Sequence, residues 1–319
     1  MPKIIFGGRS YDCGEMSVLD CLTAQGATIP SSCHSGVCQT CMMQAVNGII
    51  PEISQVGLKQ TLVEQNYFLA CSCYPEEDLE VALPNKSTSK LKATVLSVEH
   101  LTIDIVGIKI RPPESFEYRA GQFINFYKDD DISRSYSLAS VPTLDEDLFL
   151  HVRKVPGGLV SNWIFNNLKP GNEVIISAAL GNCFYVPGNP NQNILLIGTG
   201  SGLAPLYGIA RDALASQHKG KICLYHGSYN TSGLYLIDEL RALEKANPNF
   251  NYIPCLSGED PVDEFFSRGM VLDVALSDNT DLSGWKIFLC GNPDMVTSAK
   301  TKTFLAGASS RDIFADPFN

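Results

Sequence analysis

Four cysteines constrain this chain more than anything else in it: Cys33, Cys38 and Cys41, spaced C-x4-C-x2-C, and a distant Cys71. That spacing is the ligand pattern of a [2Fe–2S] cluster, because one tight loop wraps three thiolates round a compact two-iron rhomb while a second segment closes the far side. Gly36 and the small Ser35 let the backbone draw close to the inorganic sulfurs and aim N–H groups at them, which helps carry the cluster's negative charge. Structural zinc would instead pair two C-x2-4-C knuckles, whereas here three cysteines stand on one side and Cys71 on the other. The expectation is an electron carrier.

The other seven cysteines, Cys13, Cys21, Cys73, Cys183, Cys223, Cys255 and Cys290, are odd in number and lack paired spacing, so free thiols are expected rather than a disulfide framework. Free thiols, with no apolar signal segment after Met1, point to a reducing, cytoplasmic setting. No run approaches the ~18 apolar residues that span a bilayer, and no membrane partner is expected. At 319 residues the chain suits two or three domains. Its net charge of −10 argues against nucleic acid as a partner. Residues 1–84 hold nine Asp or Glu against three Lys or Arg. This acidic pole either steers a partner with a basic patch or merely keeps that face solvated.

The polar stretch 85–90 reads as an exposed linker. Before it, residues 3–6 and 80–83 read as terminal strands, and Ser17 caps a short helix. From Leu91 to about Ser177, short β-rich runs such as 93–98, 121–126 and 148–152 suggest a small antiparallel barrel, interrupted by a helix over 160–168 that Pro170-Gly171 stops. Beyond Asn193, apolar strands over 194–197, 221–225, 252–255 and 286–290 alternate with glycine turns and helices, which implies a parallel sheet covered on both faces. The expected fold is multidomain α+β and α/β, with modules at 1–84, 91–190 and 191–319.

Three motifs join these modules. Arg134-Ser135-Tyr136-Ser137 lies in the barrel and is followed by Arg153-Lys154-Val155-Pro156-Gly157-Gly158-Leu159-Val160-Ser161, where a glycine turn opens a helix whose first N–H groups suit a phosphate. Gly198-Thr199-Gly200-Ser201-Gly202-Leu203-Ala204-Pro205 links a strand to a helix, the place where open α/β sheets take ligands. Leu203 stands where a dinucleotide fingerprint has its third glycine, which disfavours an ordinary Rossmann dehydrogenase. Cys290-Gly291-Asn292-Pro293 ends another strand; a buried cysteine there is more often packing than chemistry.

Together these elements resemble the R-x-Y-S, G-x-x-S, G-x-G-x-G-x-x-P and C-G-x-x motifs of the ferredoxin–NADP reductase superfamily. The stretch Leu150-His151-Val152-Arg153-Lys154 and the ending Phe314-Ala315-Asp316-Pro317-Phe318 are similar to naphthalene-dioxygenase-type reductases, and also to the reductase serving a deoxysugar dehydrase. The resemblance covers essentially the whole chain. It implies an N-terminal β-grasp ferredoxin, an antiparallel β-barrel flavin domain and a C-terminal parallel-sheet nucleotide-binding domain. By that resemblance Arg134, Gly158 and Ser161 receive the FAD pyrophosphate, Tyr136 lies against the flavin ring, and Ser137 lies near its N5. Ser135, His151, Val152, Arg153, Lys154, Leu159 and Val160 complete the FAD set. Gly198, Thr199, Gly200, Ser201, Gly202 and Pro205 bind the nicotinamide nucleotide, with Cys290 and Gly291 beside the nicotinamide. Asp316 matches an acidic position near the flavin, and Phe318, or else Phe314, covers it.

The implied activity is electron transfer from NADH through FAD and the [2Fe–2S] cluster to a partner ferredoxin or terminal oxygenase of an aromatic-oxygenase system. A hydride carries two electrons and the cluster accepts one at a time, so the flavin has to stand between them. NADH is expected over NADPH because residues 226–234 offer no Lys or Arg for a 2′-phosphate. A stand-alone diaphorase or ferric reductase, or a redox-sensing binding subunit, are the readings of another class.

Overall fold

The computed structural model describes residues 2–84, 90–130, 132–261 and 263–318, and the chain divides into two units, Met1–Lys86 and Ser87–Asn319. The expected linker at 85–90 lies outside the described residues except for Lys90, whose Nζ meets Asp130 Oδ1 at 2.6 Å.

In the first unit, β1 (Lys3–Phe6) turns back into β2 (Arg9–Asp12), and β3 (Met42–Asn47), β4 (Tyr67–Leu69) and β5 (Leu79–Ala82) complete a sheet in the order β2-β1-β5-β3-β4. β1 and β5 run parallel at its centre, so the two ends of this module lie side by side. Helix α1 (Val18–Ala24) begins at Ser17, whose Oγ accepts the Asp20 N–H at 3.1 Å and so satisfies one otherwise orphaned donor. Its Val18, Leu19, Cys21 and Leu22 are buried in one core with Ile4, Met43, Phe68 and Leu79; each large side chain so enclosed contributes about 1.5–3 kcal/mol. A one-turn helix, α2 (Gln60–Val63), leads toward β4.

One expectation fails here. Cys13 and Cys21 are joined as a disulfide, with Cα atoms 5.2 Å apart, rather than standing free. The cause is local: Cys13 follows the end of β2, and the Ser17 cap turns the chain so that the second turn of α1 returns Cys21 beside it. Cys73, Cys183, Cys223, Cys255 and Cys290 are free, as are the four cysteines of the candidate cluster.

The second unit holds two sheets. Strands β6 (Leu91–His100), β7 (Ile105–Arg111), β8 (Phe123–Tyr127), β9 (Ser133–Ser137), β10 (Leu148–Arg153) and β11 (Glu173–Ile176) form an antiparallel sheet in the order β10-β7-β6-β11-β8-β9. A bridge between Leu138 and Leu150 brings its two edges together, which closes the barrel. Helix α3 (Leu159–Asn167) follows β10 and sends Val160 and Ile164 into the barrel core.

The other sheet is entirely parallel: β12 (Ile194–Thr199), β13 (Ile222–Ser228), β14 (Phe250–Leu256), β15 (Ser267–Arg268), β16 (Lys286–Gly291) and β17 (Ile313–Pro317), in the order β15-β14-β13-β12-β16-β17. Helices α4 (Leu203–Ala215), α5 (Ile237–Ala246), α6 (Val271–Asp278) and α7 (Pro293–Leu305) connect the strands. The strand order reverses at β12, which creates a crevice at the carboxyl ends of β12 and β16. The two sheets share one core, in which Ile105 and Cys183 pack with Leu203 and Ile209 of α4. Contact is close, and a Cβ on Gly208 of α4 would lie 3.1 Å from Ala139 O.

The terminal segment 313–317 is a strand, not a loose tail. In it Phe314 is buried and stacks on Phe288 with ring centroids 5.1 Å apart. That fixes Phe314 in the core.

Candidate functional site

In the first unit the cysteine loop runs between α1 and β3. His34 and Gln39 take left-handed backbone angles, φ 53° and 60°, as does Gly36 at 74°. Left-handed non-glycine residues cost on the order of 1–3 kcal/mol each and gather where a site demands a particular loop shape. The fold turns N–H groups onto sulfur: Cys38 N–H donates to Cys33 Sγ (3.4 Å), Ser35 N–H to the same atom (3.5 Å), and Gly36 N–H to Cys71 Sγ (3.3 Å). Ala70 N–H donates to Cys41 O at 3.1 Å, which holds the Cys71 turn against the start of β3. Cys33 and Cys38 are exposed while Cys41 and Cys71 are buried.

The sulfurs interact as two pairs, Cys33 with Cys38 and Cys41 with Cys71. Among the described residues no three His, Cys, Asp or Glu converge on a point that would hold a single ion. Hydrogen bonds from the Ser35 side chain and the Cys38 and Ser35 N–H groups lower the Cys33 thiol to about 5, whereas burial raises Cys41 to about 11. Four soft sulfur donors in two pairs, with N–H groups aimed at them, fit a two-iron cluster.

In the second unit, β9 presents Arg134 and Ser135 to solvent and turns Ser137 inward. Arg134 donates to its neighbour's carbonyl, Ser133 O, at 2.8 Å, and Ser135 Oγ donates to Asn125 Oδ1 at 2.8 Å. Tyr136 packs edge-on against Phe126. Helix α3 starts at Gly158 with no side chain capping it, and Ser161 Oγ accepts the Val155 N–H at 3.2 Å, which closes the preceding loop. Beside this start lies an open cleft of about 490 Å³ lined by Lys128, Gly157, Gly158, Leu159, Asn162 and Trp163 among others. An uncapped helix start beside a cleft whose lining includes the cation Lys128 fits a pyrophosphate.

Several expected FAD residues are placed less directly. His151 and Val152 are buried side chains of β10, and His151 Nδ1 meets the Tyr235 hydroxyl at 3.1 Å; burial lowers that imidazole to about 3. Arg153 Nε donates to Asp104 Oδ2 at 2.7 Å, and Lys154 lies 4.7 Å from the centre of the Phe165 ring. Val160 belongs to the core and Leu159 is exposed.

The turn after β12 carries the nucleotide motif. Gly200 has φ 54°, the left-handed region that favours glycine. Gly202 is needed for space, because a Cβ there would overlap the Cys290 carbonyl oxygen. Thr199 Oγ1 accepts the Asn292 N–H at 3.1 Å, tying the turn to the end of β16. Ser201 is half-buried, and Pro205 is buried in the first turn of α4.

Register joins the remaining residues. Cys290 lies opposite Gly198 on one side and Asp316 on the other, and Ser137 Oγ from the barrel donates to Asp316 Oδ2 at 3.0 Å. Phe318 N–H donates to Gly291 O at 2.8 Å. Burial raises the Asp316 carboxyl above its usual value and, with the Cys183 thiol at 3.9 Å, raises the Cys290 thiol well above its own. Asp104 and Tyr235 carry no signal in the sequence, and Cys183 reads there only as a free thiol, since no motif or spacing connects them to their distant partners.

Relatives match this chain over nearly its whole length. The naphthalene 1,2-dioxygenase system ferredoxin–NAD(P)(+) reductase component of Pseudomonas putida is 32% identical over 311 residues, spanning 95% of this chain and 93% of that one. The chain belongs to the reductase components of multicomponent oxygenases. The 2Fe-2S iron-sulfur cluster binding domain matches residues 7–76, the oxidoreductase FAD-binding domain 92–185 and the oxidoreductase NAD-binding domain 196–301. The reductase is also 33% identical to the aromatic O-demethylase reductase subunit of an Amycolatopsis strain over 314 residues, 93% of this chain and 92% of that one. Among solved structures, Amycolatopsis cytochrome P450 reductase GcoB is 31% identical, with a TM-score of 0.70 over 100% of this chain and 99% of that chain. The reductase is therefore an oxidoreductase with iron–sulfur, FAD and NAD modules. No helix among its described residues is long and apolar enough to cross a membrane.

Proposed function

We propose that the reductase takes electrons from NADH, through FAD and its [2Fe–2S] cluster, to the ferredoxin or terminal component of a cytoplasmic oxygenase system acting on an aromatic substrate. The observation that carries the unit-2 half of this reading is the line Ser137, Asp316, Cys290, Gly198, which joins the flavin motif of the barrel to the nucleotide turn through one hydrogen bond and two strand registers. Bound FAD supplies the exchange between a two-electron hydride donor and a one-electron cluster.

The chain's own residues bind, orient and exclude water. Arg134 and the first N–H groups of α3 hold a pyrophosphate, Tyr136 flanks the ring, and Phe318 covers the site. Ser137 donates its hydroxyl hydrogen bond to Asp316 Oδ2, and burial keeps that carboxyl more basic than an exposed one. Cys33, Cys38, Cys41 and Cys71 hold the cluster at the acidic pole, which suits a partner with a basic docking patch. Preference for NADH follows from a loop at 226–234 without Lys or Arg, and Arg241 nearby is stacked over Phe265 at 4.1 Å.

The test is reconstitution with a purified ferredoxin and the terminal component of an aromatic-oxygenase system. NADH oxidation should become coupled to reduction of one of them. Reduction of ferricyanide alone, with none of those proteins reduced, would leave a stand-alone diaphorase.

A further inference from the structure

The buried pair His151 and Tyr235 links the barrel to the nucleotide turn. His151 belongs to β10, and Tyr235 stands just ahead of α5. Tyr235 donates its hydroxyl proton to Gly200 O at 3.3 Å, and a carbonyl has no proton to return. A tyrosine has a single hydroxyl proton, so the 3.1 Å bond to His151 runs from an Nδ1–H into the tyrosine oxygen. His151 Nε2 is then a bare acceptor, and it has no partner among the described residues. A phenylalanine at 151 would bury no unpaired nitrogen. What the imidazole adds is its donor at Nδ1, at the cost of a bond unmade at Nε2.

The direction of these bonds gives them a purpose. Gly200 O also accepts the Leu203 N–H at the start of α4, so two donors fix that carbonyl. Glycine takes either hand of backbone almost equally, and nothing in Gly200 itself would hold the peptide at φ 54°. The peptide joining Gly200 to Ser201 is planar and trans, so a carbonyl drawn in toward Tyr235 turns the Ser201 N–H the opposite way. Half-buried Ser201 follows the carboxyl end of β12, where the crevice opens. A second pair, His226 of β13 and Tyr252 of β14, is also buried, with Nδ1 and hydroxyl 3.3 Å apart, but its bond stays between neighbouring strands.

We infer that Tyr235, held by His151, is a positioning residue of the nucleotide turn: it fixes the peptide after Gly200 so that the Ser201 N–H faces the bound dinucleotide. This rests on the NADH reading above and names a link from barrel to turn that is separate from the bond between Ser137 and Asp316.

The test compares Tyr235→Phe, His151→Leu, their double variant and Tyr252→Phe in protein loaded with FAD and cluster. Amide hydrogen exchange, read by mass spectrometry without NADH, should quicken across residues 199–203 by about tenfold in Tyr235→Phe. Flavin bleaching at saturating NADH should slow by about tenfold in the same variant, because a loosened turn misplaces the reacting groups. Tyr252→Phe removes an equivalent buried bond and leaves His226 edge-on against the Tyr235 ring. It should lower the melting temperature as much as Tyr235→Phe, yet move exchange and bleaching by less than about twofold. Adding His151→Leu to Tyr235→Phe should slow bleaching little further, as expected of two residues on one chain of bonds. Unmoved exchange and bleaching in Tyr235→Phe, with NADH still bleaching the unmodified flavin, would overturn the assignment and leave the electron-transfer reading in place. Equal effects in Tyr252→Phe would overturn it too, since any buried His–Tyr bond would then serve. Effects of His151→Leu and Tyr235→Phe that simply multiply would refute the link from the barrel. If NADH failed to bleach even the unmodified flavin, the NADH reading would fall, and the exchange rates would still decide whether Tyr235 holds the turn.

Discussion

Gly202→Ala offers the sharpest test of how the nucleotide turn is built. Its Cβ would lie 2.7 Å from both the Cys290 carbonyl carbon and Gly291 Cα, and closer still to the Cys290 oxygen. These are backbone atoms of a strand end held in register with Gly198 and Asp316, and they have no rotamer through which to escape. The turn itself has to move. Overpacking of this kind costs about 1–3 kcal/mol, and a displacement near 1 Å in an element that positions reacting groups costs on the order of 100-fold in rate. Anaerobic stopped-flow bleaching of the flavin by NADH should therefore slow by about 10- to 100-fold, with FAD and cluster spectra unchanged. Gly200→Ala is the control: its Cβ would meet only Arg153 Nη1 at 3.5 Å, so the cost is the left-handed strain of φ 54°, about 1–2 kcal/mol, and the slowing should be smaller. A Gly202→Ala variant that bleaches at the unmodified rate, or one less affected than Gly200→Ala, would refute the packing argument.

Other substitutions probe the remaining parts. Cys71→Ser should abolish reduction of a one-electron protein acceptor while largely sparing NADH-driven ferricyanide reduction; loss of both would mean the cluster is structural. Arg134→Ala should release FAD on gel filtration, and full flavin retention would remove Arg134 from the pyrophosphate site. Phe314→Ala should destabilise by about 3–5 kcal/mol because it empties a stacked core position, whereas Phe318→Ala should leave the melting temperature near its original value and alter nucleotide binding. Asp316 has a folded pKa above its ordinary 3.8, so its contribution to stability is complete below 3.8 and is lost as pH rises through the higher folded value. Asp316→Asn should flatten that part of the thermal stability profile, and an unchanged slope would show that the carboxyl is not held in a desolvated place.

What could be read from sequence was local. The cysteine spacing and the glycine turn declare themselves because each lies within one loop, and the Ser17 cap because it precedes its own helix. The hydrogen bond from Ser137 to Asp316 spans 179 positions, and the contact between Cys183 and Cys290 spans 107, so neither leaves a pattern. The strand at 313–317 was hidden by its Pro317, although a proline at the end of an edge strand costs no ladder bond. Cys13 and Cys21 are legible in principle, because the Ser17 cap between them signals the turn that brings them together. The 198–205 turn was recognised for a partly different reason from the one that operates, since only Gly200 there needs a left-handed angle, while Gly202 needs room against β16.

The central claim is a relay of three redox modules in one chain, and an anaerobic NADH titration followed by visible absorption tests it most directly. Overlapping flavin and iron–sulfur bands should bleach together at roughly one and a half equivalents of NADH, two electrons for the flavin and one for the cluster. A colourless protein, or flavin absorption alone with zinc by metal analysis, would contradict the account.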